Sequence, residues 1–159
     1  MQNSTNSTNS FFWANDVLVN LKNVSNINVL DTRRVVFNMN YTIEMKTRND
    51  KKLISDYVYW DAKDTDDLDK NLSNLYSNEY IKQYFLSIEG QSILINKNEI
   101  SSVKFMGRQN RIIFNLSHPV TFKNHDGKSL TSEFVYINCK LNEEFQKNSQ
   151  SIKSQLNLN

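Results

Sequence analysis

The sequence predicts a single α+β domain, an antiparallel sheet with helices packed on one face, and three observations lead there. Val35, Phe37, Met39, Tyr41, Ile43 and Met45 alternate with mostly polar neighbours, the two-residue period of a half-buried strand. Leu68, Leu72, Leu75 and Tyr76 recur at three- and four-residue steps behind Thr65, Asp66 and Asp67, the pattern of an amphipathic helix with an acidic first turn. From Ser92 onward the chain reads as strand after strand. Helix and hairpin first, then helices, then an antiparallel sheet is an α+β order rather than that of a parallel doubly wound fold. A chain of 159 residues is long enough to bury one substantial core.

Residues 1–10 carry no hydrophobic group after Met1, so nothing anchors them in a core and they are expected to be mobile. The domain spans 11–141. Phe11, Phe12, Val17, Leu18 and Leu21 suit one face of a helix over Phe11–Leu21, while Val24, Ile27 and Val29 look extended. After the strand at Val35–Met45, Thr47–Lys52 is a polar turn, and Leu53–Trp60 is either the returning arm of a hairpin or a short helix. Thr65 is read as the N-cap of the following helix. Tyr80, Ile81, Tyr84 and Phe85 continue that helix or form a second one after Ser77-Asn78, with Gly90 ending it.

Strands are then expected at Ser92–Asn96, Ile100–Met106, Arg111–Ser117 and Leu130–Leu141, with Val120–Phe122 between. His125-Asp126-Gly127 suits a tight primed turn, which needs positive φ. Residues 142–159 carry Phe145, Ile152, Leu156 and Leu158 and are either a docking C-terminal helix or a polar tail. No repeat of solenoid length is evident.

With 19 basic and 17 acidic side chains the formal charge is +2, too balanced to steer a polyanion, and nucleic acid is not an expected partner. The lone Cys139 excludes an internal disulfide. No window approaches the ~20 apolar residues that span a bilayer. The chain reads as soluble, periplasmic if an N-terminal anchor has been removed and cytoplasmic otherwise. With 3 Gly and 1 Pro but abundant Asn, the turns fall mainly to Asn, Asp and Ser.

No motif for catalysis, metal or cofactor stands out. Asp61, Asp64, Asp66, Asp67 and Asp69 resemble a calcium loop only superficially: the twelfth position from Asp61 or Asp64 falls on a leucine, and the loop has no Gly. They read instead as a helix start. His118, His125 and Cys139 have no metal-ligand spacing, and Cys139 alternates with Val135, Ile137 and Leu141 as a packed thiol. The three glycines are isolated, which excludes a phosphate loop. Arg33, Arg34, Lys104, Arg108, Arg111 and Lys123 would face an anionic surface or, more simply, guard sheet edges and turns.

The aromatic group Tyr57, Tyr59, Trp60, Tyr76, Tyr80, Tyr84 and Phe85 is the strongest interaction candidate. Helical spacing puts Tyr76, Tyr80 and Tyr84 on one stripe, and Tyr and Trp are favoured anchors at protein interfaces.

Tyr57-Val58, the acidic stretch after it, Tyr76-Ser77-Asn78-Glu79-Tyr80-Ile81, Ile100-Ser101-Ser102-Val103 and Phe134-Val135-Tyr136-Ile137 together give the segment from Tyr57 to Leu141 a resemblance. It resembles the periplasmic domain of the bitopic assembly factors of bacterial type IV secretion and conjugation systems. The resemblance implies an NTF2-like cone, with helices in the concavity of an antiparallel sheet, and a non-enzymatic scaffold that self-associates and contacts other channel components.

The reading is therefore a protein-interaction or assembly domain without cofactor, with protein partners that include further copies of itself. Two rivals stand beside it. One is a ligand-binding or enzymatic cone using Asp61 or Tyr80 as acid or base. The other is a nucleic-acid or anionic-surface binder using Arg33, Arg34, Arg108 and Arg111.

Overall fold

A computed structural model describes residues 8–14, 17–46, 49–50, 52–123 and 129–157. The first segment is not the expected helix. Strands β1 (Phe11–Ala14) and β2 (Val17–Asn20) pair antiparallel, with Phe12 opposite Val19 and Trp13 opposite Leu18. The apolar spacing fits either structure, but Phe, Trp and Val favour strands. Pairing sends Phe12, Ala14 and Val19 inward and leaves Phe11, Trp13 and Leu18 outward.

β3 (Val24–Val29), β4 (Arg34–Lys46) and β5 (Lys52–Asp61) form a meander, so Leu53–Trp60 is the returning hairpin arm. Helix α1 (Thr65–Ser77) is capped by Asp64 rather than by Thr65, whose place is one residue inside the helix. Asp64 is extended and its Oδ1 accepts from Asp67 N at 2.8 Å, while Asp67 Oδ2 reaches back to Lys63 N at 3.0 Å. Asn78 breaks the helix, and its Oδ1 accepts from Tyr80 N and Ile81 N to start the short α2 (Glu79–Tyr84).

Phe85 ends α2 in extended conformation and opens β6 (Phe85–Ser87). Gly90, at φ 78, therefore turns β6 into β7 (Ile93–Asn96) instead of ending a helix. β8 (Ile100–Met106), β9 (Arg111–Lys123) and β10 (Ser129–Asn138) form a second meander, with Val120–Phe122 part of β9. His125-Asp126-Gly127 lies outside the described residues. α3 (Asn142–Gln155) buries Phe145 and Ile152, so 142–155 is a docked helix.

The chain is α+β, with its strands divided into a hairpin β1-β2, a five-stranded sheet β5-β4-β3-β7-β6 and a three-stranded sheet β10-β9-β8, all antiparallel. Its second part repeats its first. Hairpin, meander and helix follow in the same order twice, with α2 between the two units. The correspondence reaches single hydrogen bonds. Asn20 and Asn96 each cap a 3-10 turn that leads into β3 and β8. The same irregularity shifts the register between Val24 and Asn26 and between Ile100 and Ser102. Arg33 and Asn110 both take left-handed backbone, at φ 66 and 50. Their carbonyls accept from Ala62 N at 3.0 Å and from Cys139 N at 2.8 Å. Lys63 N to Asp67 Oδ2 is matched by Lys140 N to Glu144 Oε2 at 3.1 Å.

Each unit fills its own core with corresponding side chains. Phe12, Val19, Val35, Phe37, Trp60 and Leu75 in the first stand where Leu86, Ile95, Ile112, Phe114, Ile137 and Ile152 stand in the second. The β6–β7 hairpin belongs to both. Leu86 and Ile95 face the second core, whereas Phe85 and Leu94 face the first, where β7 pairs with β3 and Leu94 lies opposite Ile27. Burial on both faces explains the unbroken apolar run Ile93-Leu94-Ile95.

Candidate interaction surface

Alternation along β5 separates the aromatic candidates. Tyr59 lies 45 % exposed on the outer face and Tyr57 half-buried beside it, their ring centroids 6.3 Å apart, while Trp60 turns into the first core. Across the ladder, Arg34 stands opposite Asp61 and forks onto it, Nε to Oδ1 at 2.7 Å and Nη2 to Oδ2 at 2.9 Å. The guanidinium lies 4.0 Å from the centre of the Tyr59 ring. The hydrogen bond from Arg34 holds the Asp61 carboxyl below the usual carboxylate range, and the same bond raises Arg34. Both side chains are largely in solvent, where such a pair adds little to stability but fixes the guanidinium over the ring.

The second unit builds the same arrangement. Arg111 Nε donates to Asn138 Oδ1 at 2.8 Å, its guanidinium lies 4.9 Å from the Tyr136 ring, and Phe134 stands 6.3 Å from Tyr136. Phe134 and Tyr136 are 44 and 50 % exposed. No local pattern in the sequence marks this second aromatic patch. Its signal is a shift of 77 residues, which carries Arg34 to Arg111, Tyr59 to Tyr136 and Asp61 to Asn138.

The expected stripe of Tyr76, Tyr80 and Tyr84 does not form, because the Asn78 break ends α1 before Tyr80. Tyr76 is exposed at the end of α1, Tyr80 is buried, and Tyr84 is half-buried with its ring centroid 4.5 Å from that of Tyr80. Trp60 and Tyr80 are core residues. Substituting them reports on folding rather than on a surface.

The acid or base roles considered for Asp61 and Tyr80 find no support. Asp61 is engaged with Arg34 on the outer face, and its lowered pKa makes it a weak base. Desolvation, and then the neighbouring Tyr84, push the Tyr80 hydroxyl up, so it stays protonated near neutrality. A void in the first core, lined by Phe12, Phe37, Trp60 and Leu75 among others, has room for about one water.

Among the described residues no three His, Cys, Asp or Glu side chains gather as a metal site. Cys139 is buried in the second core, with Asn148 Nδ2 at 3.5 Å from its Sγ. His118 Nδ1 lies 2.7 Å from Glu99 Oε2, and Asn40 Nδ2 donates to the other oxygen at 3.0 Å. This buried carboxylate ties β4 of one unit to β9 of the other. Nearby, Asn38 and Asn28 both donate to Asn26 Oδ1, at 2.8 and 2.9 Å. His125 lies outside the described residues.

Of the arginines proposed for an anionic surface, Arg34 and Arg111 sit over tyrosines in different units, while Arg33 and Arg108 are exposed in turns. The side chain of Lys123 is outside the description. No described helix is long and apolar enough to cross a membrane.

The first hairpin adds an apolar patch that sequence reading assigned to a helix face. Trp13 and Leu18, directly opposite one another, are 62 and 48 % exposed, with Phe11 beside them at 49 %. No protein family, curated protein or solved structure matches the chain.

Proposed function

We propose that the chain is a non-enzymatic protein-interaction and assembly module. One observation carries this reading. Large apolar side chains are gathered on outward strand faces, at Phe11, Trp13 and Leu18, at Tyr57 and Tyr59, and at Phe134 and Tyr136. Scattered exposed hydrophobics need no explanation, whereas grouped ones of this kind mark contact surfaces. Tyr and Trp bring large area at low entropic cost, and Arg stacked on Tyr is a frequent companion at interfaces.

The resemblance to the assembly factors of type IV secretion and conjugation systems supports the same behaviour, namely self-association and contact with other components. An NTF2-like cone and a periplasmic setting belong to that proposal. A sedimentation concentration series tests it. Mass should rise with concentration in the wild type, and Tyr59→Ser and Tyr136→Ser proteins shown to be folded reveal whether the Arg–aromatic patches contribute. A strict monomer up to ~1 mM, the affinity floor of a weak specific contact, would overturn self-assembly.

A further inference from the structure

We infer that copies of this chain join head to tail, the β1–β2 hairpin of one copy adding to the outer edge of β8 in the next. This rests on the assembly reading and names the surfaces and the occupant. The template is inside the molecule. Where the two units meet, the hairpin of the second adds its β7 to the edge of β3 in the first, with Asn26 opposite Ile95, Ile27 opposite Leu94 and Asn28 opposite Ile93. That union buries Phe85 and Leu94, each 2 % exposed.

Both halves of a second such union stand open. β1–β2 is the counterpart of β6–β7, and β2 pairs only with β1 among the described residues. The places of Phe85 and Leu94 are taken there by Phe11 and Leu18, which are 49 and 48 % exposed. β8 is the counterpart of β3 and forms an edge of its sheet. Ser25 and Asn26 of β3 are fully buried, whereas Ser101 and Ser102 of β8 are exposed. Among the described residues, therefore, one sheet has its fourth strand and the other lacks it, while an equivalent hairpin goes unused.

The internal union also fixes the register. It places Ser102 opposite Val19, Val103 opposite Leu18 and Lys104 opposite Val17 of the second copy. Val29 N donates to Ser92 O at 2.9 Å. By the alternation of an antiparallel ladder, Ile27 then turns its backbone groups toward β7. In β8 the corresponding groups are those of Val103 and Phe105, which face outward. Lys104 is the one charge on β8, and an edge lysine opposes pairing. β2 carries no charge, and the lysine stem can lie along Val17 with its ammonium in water. The contact joins two different surfaces, so it propagates into a filament unless the rotation closes a ring.

Two blocked proteins test this. Trp13→Glu with Leu18→Glu disables the hairpin, and Val103→Pro removes an outward N–H from the β8 edge. Circular dichroism first confirms that each is folded. Each alone should associate at least tenfold more weakly than wild type, and an equimolar mixture should form a heterodimer that grows no further. Should Val103→Pro fail to fold, Leu18→Cys and Val103→Cys, each made in a Cys139→Ala background so that it carries a single cysteine, serve instead: a disulfide dimer should form on mixing them and in neither alone. Wild-type association that survives both blocks, or a mixture yielding neither heterodimer nor crosslink, overturns the inference while leaving the assembly reading in place. A wild type that never associates overturns both.

Discussion

The two hairpins allow the same substitution to be made at corresponding places with different surroundings. Leu94 lies 2 % exposed between the units, and Leu18 lies 48 % exposed on the first hairpin. Truncating leucine to alanine removes about three carbons, at about 0.8 kcal/mol each when fully buried. For Leu94→Ala the cavity adds to this, giving a loss of about 2 to 5 kcal/mol. For Leu18→Ala roughly half of the transfer term was never realised and no enclosed cavity is left, so the loss should be about 1 kcal/mol or less. Urea unfolding at a protein concentration that keeps both variants monomeric measures the difference. Phe85→Ala against Phe11→Ala is a second such pair. Equal losses at Leu18 and Leu94 would falsify the assignment of one hairpin as buried between units and the other as exposed.

Glu99→Ala removes a buried carboxylate that accepts from the part-buried Asn40 amide and lies against the half-exposed His118 ring, and loss of these charge-assisted contacts should cost about 1 to 3 kcal/mol in urea unfolding. The indole N–H of Trp60 is buried without an acceptor among the described residues, and Ile137 fills the corresponding place. Trp60→Phe should therefore cost less than about 1.5 kcal/mol, against about 3 to 5 for Trp60→Ala. Asp64→Ala should lose about 1 kcal/mol, the worth of an N-cap, and a silent substitution there would argue against the cap. Asp61 has a carboxyl pKa depressed by Arg34, so its stabilisation is complete above the ordinary carboxylate range and is lost as pH falls through the lower folded value. The stability gap between wild type and Asp61→Asn should narrow below about pH 4, and a gap independent of pH there would contradict the pairing.

Why the tandem unit was hard to read from the chain follows from what was kept. Val35 and Ile112, Trp60 and Ile137, Ala62 and Cys139, and Leu68 and Phe145 share a place in the core but not an identity. Packing demands apolar volume and the right face, and it tolerates these exchanges when neighbours compensate. The shift itself slips from 76 residues between Val24 and Ile100 to 77 between Arg34 and Arg111, because five residues separate the paired Val29 and Val35 whereas six separate Phe105 and Ile112. Such a distance lies beyond the solenoid periods of about 20 to 50 residues.

The sequence by itself determined the α+β class, the strand through Val35, Phe37 and Met39 and the helix behind its acidic start, while leaving open whether that helix breaks at Asn78. Each depends on neighbours within a few residues, through alternation, dipole and capping. Tertiary structure decided the rest. Phe11–Leu21 became a hairpin because Phe12, Ala14 and Val19 find a core on one side, a choice that its local spacing leaves open. It also decided that Tyr59 faces water while Trp60 and Tyr80 face the core, and that β3 gains a neighbouring strand which β8, among the described residues, lacks. Register and edge pairing are set by residues far apart in the chain, and no local pattern encodes which edge is filled.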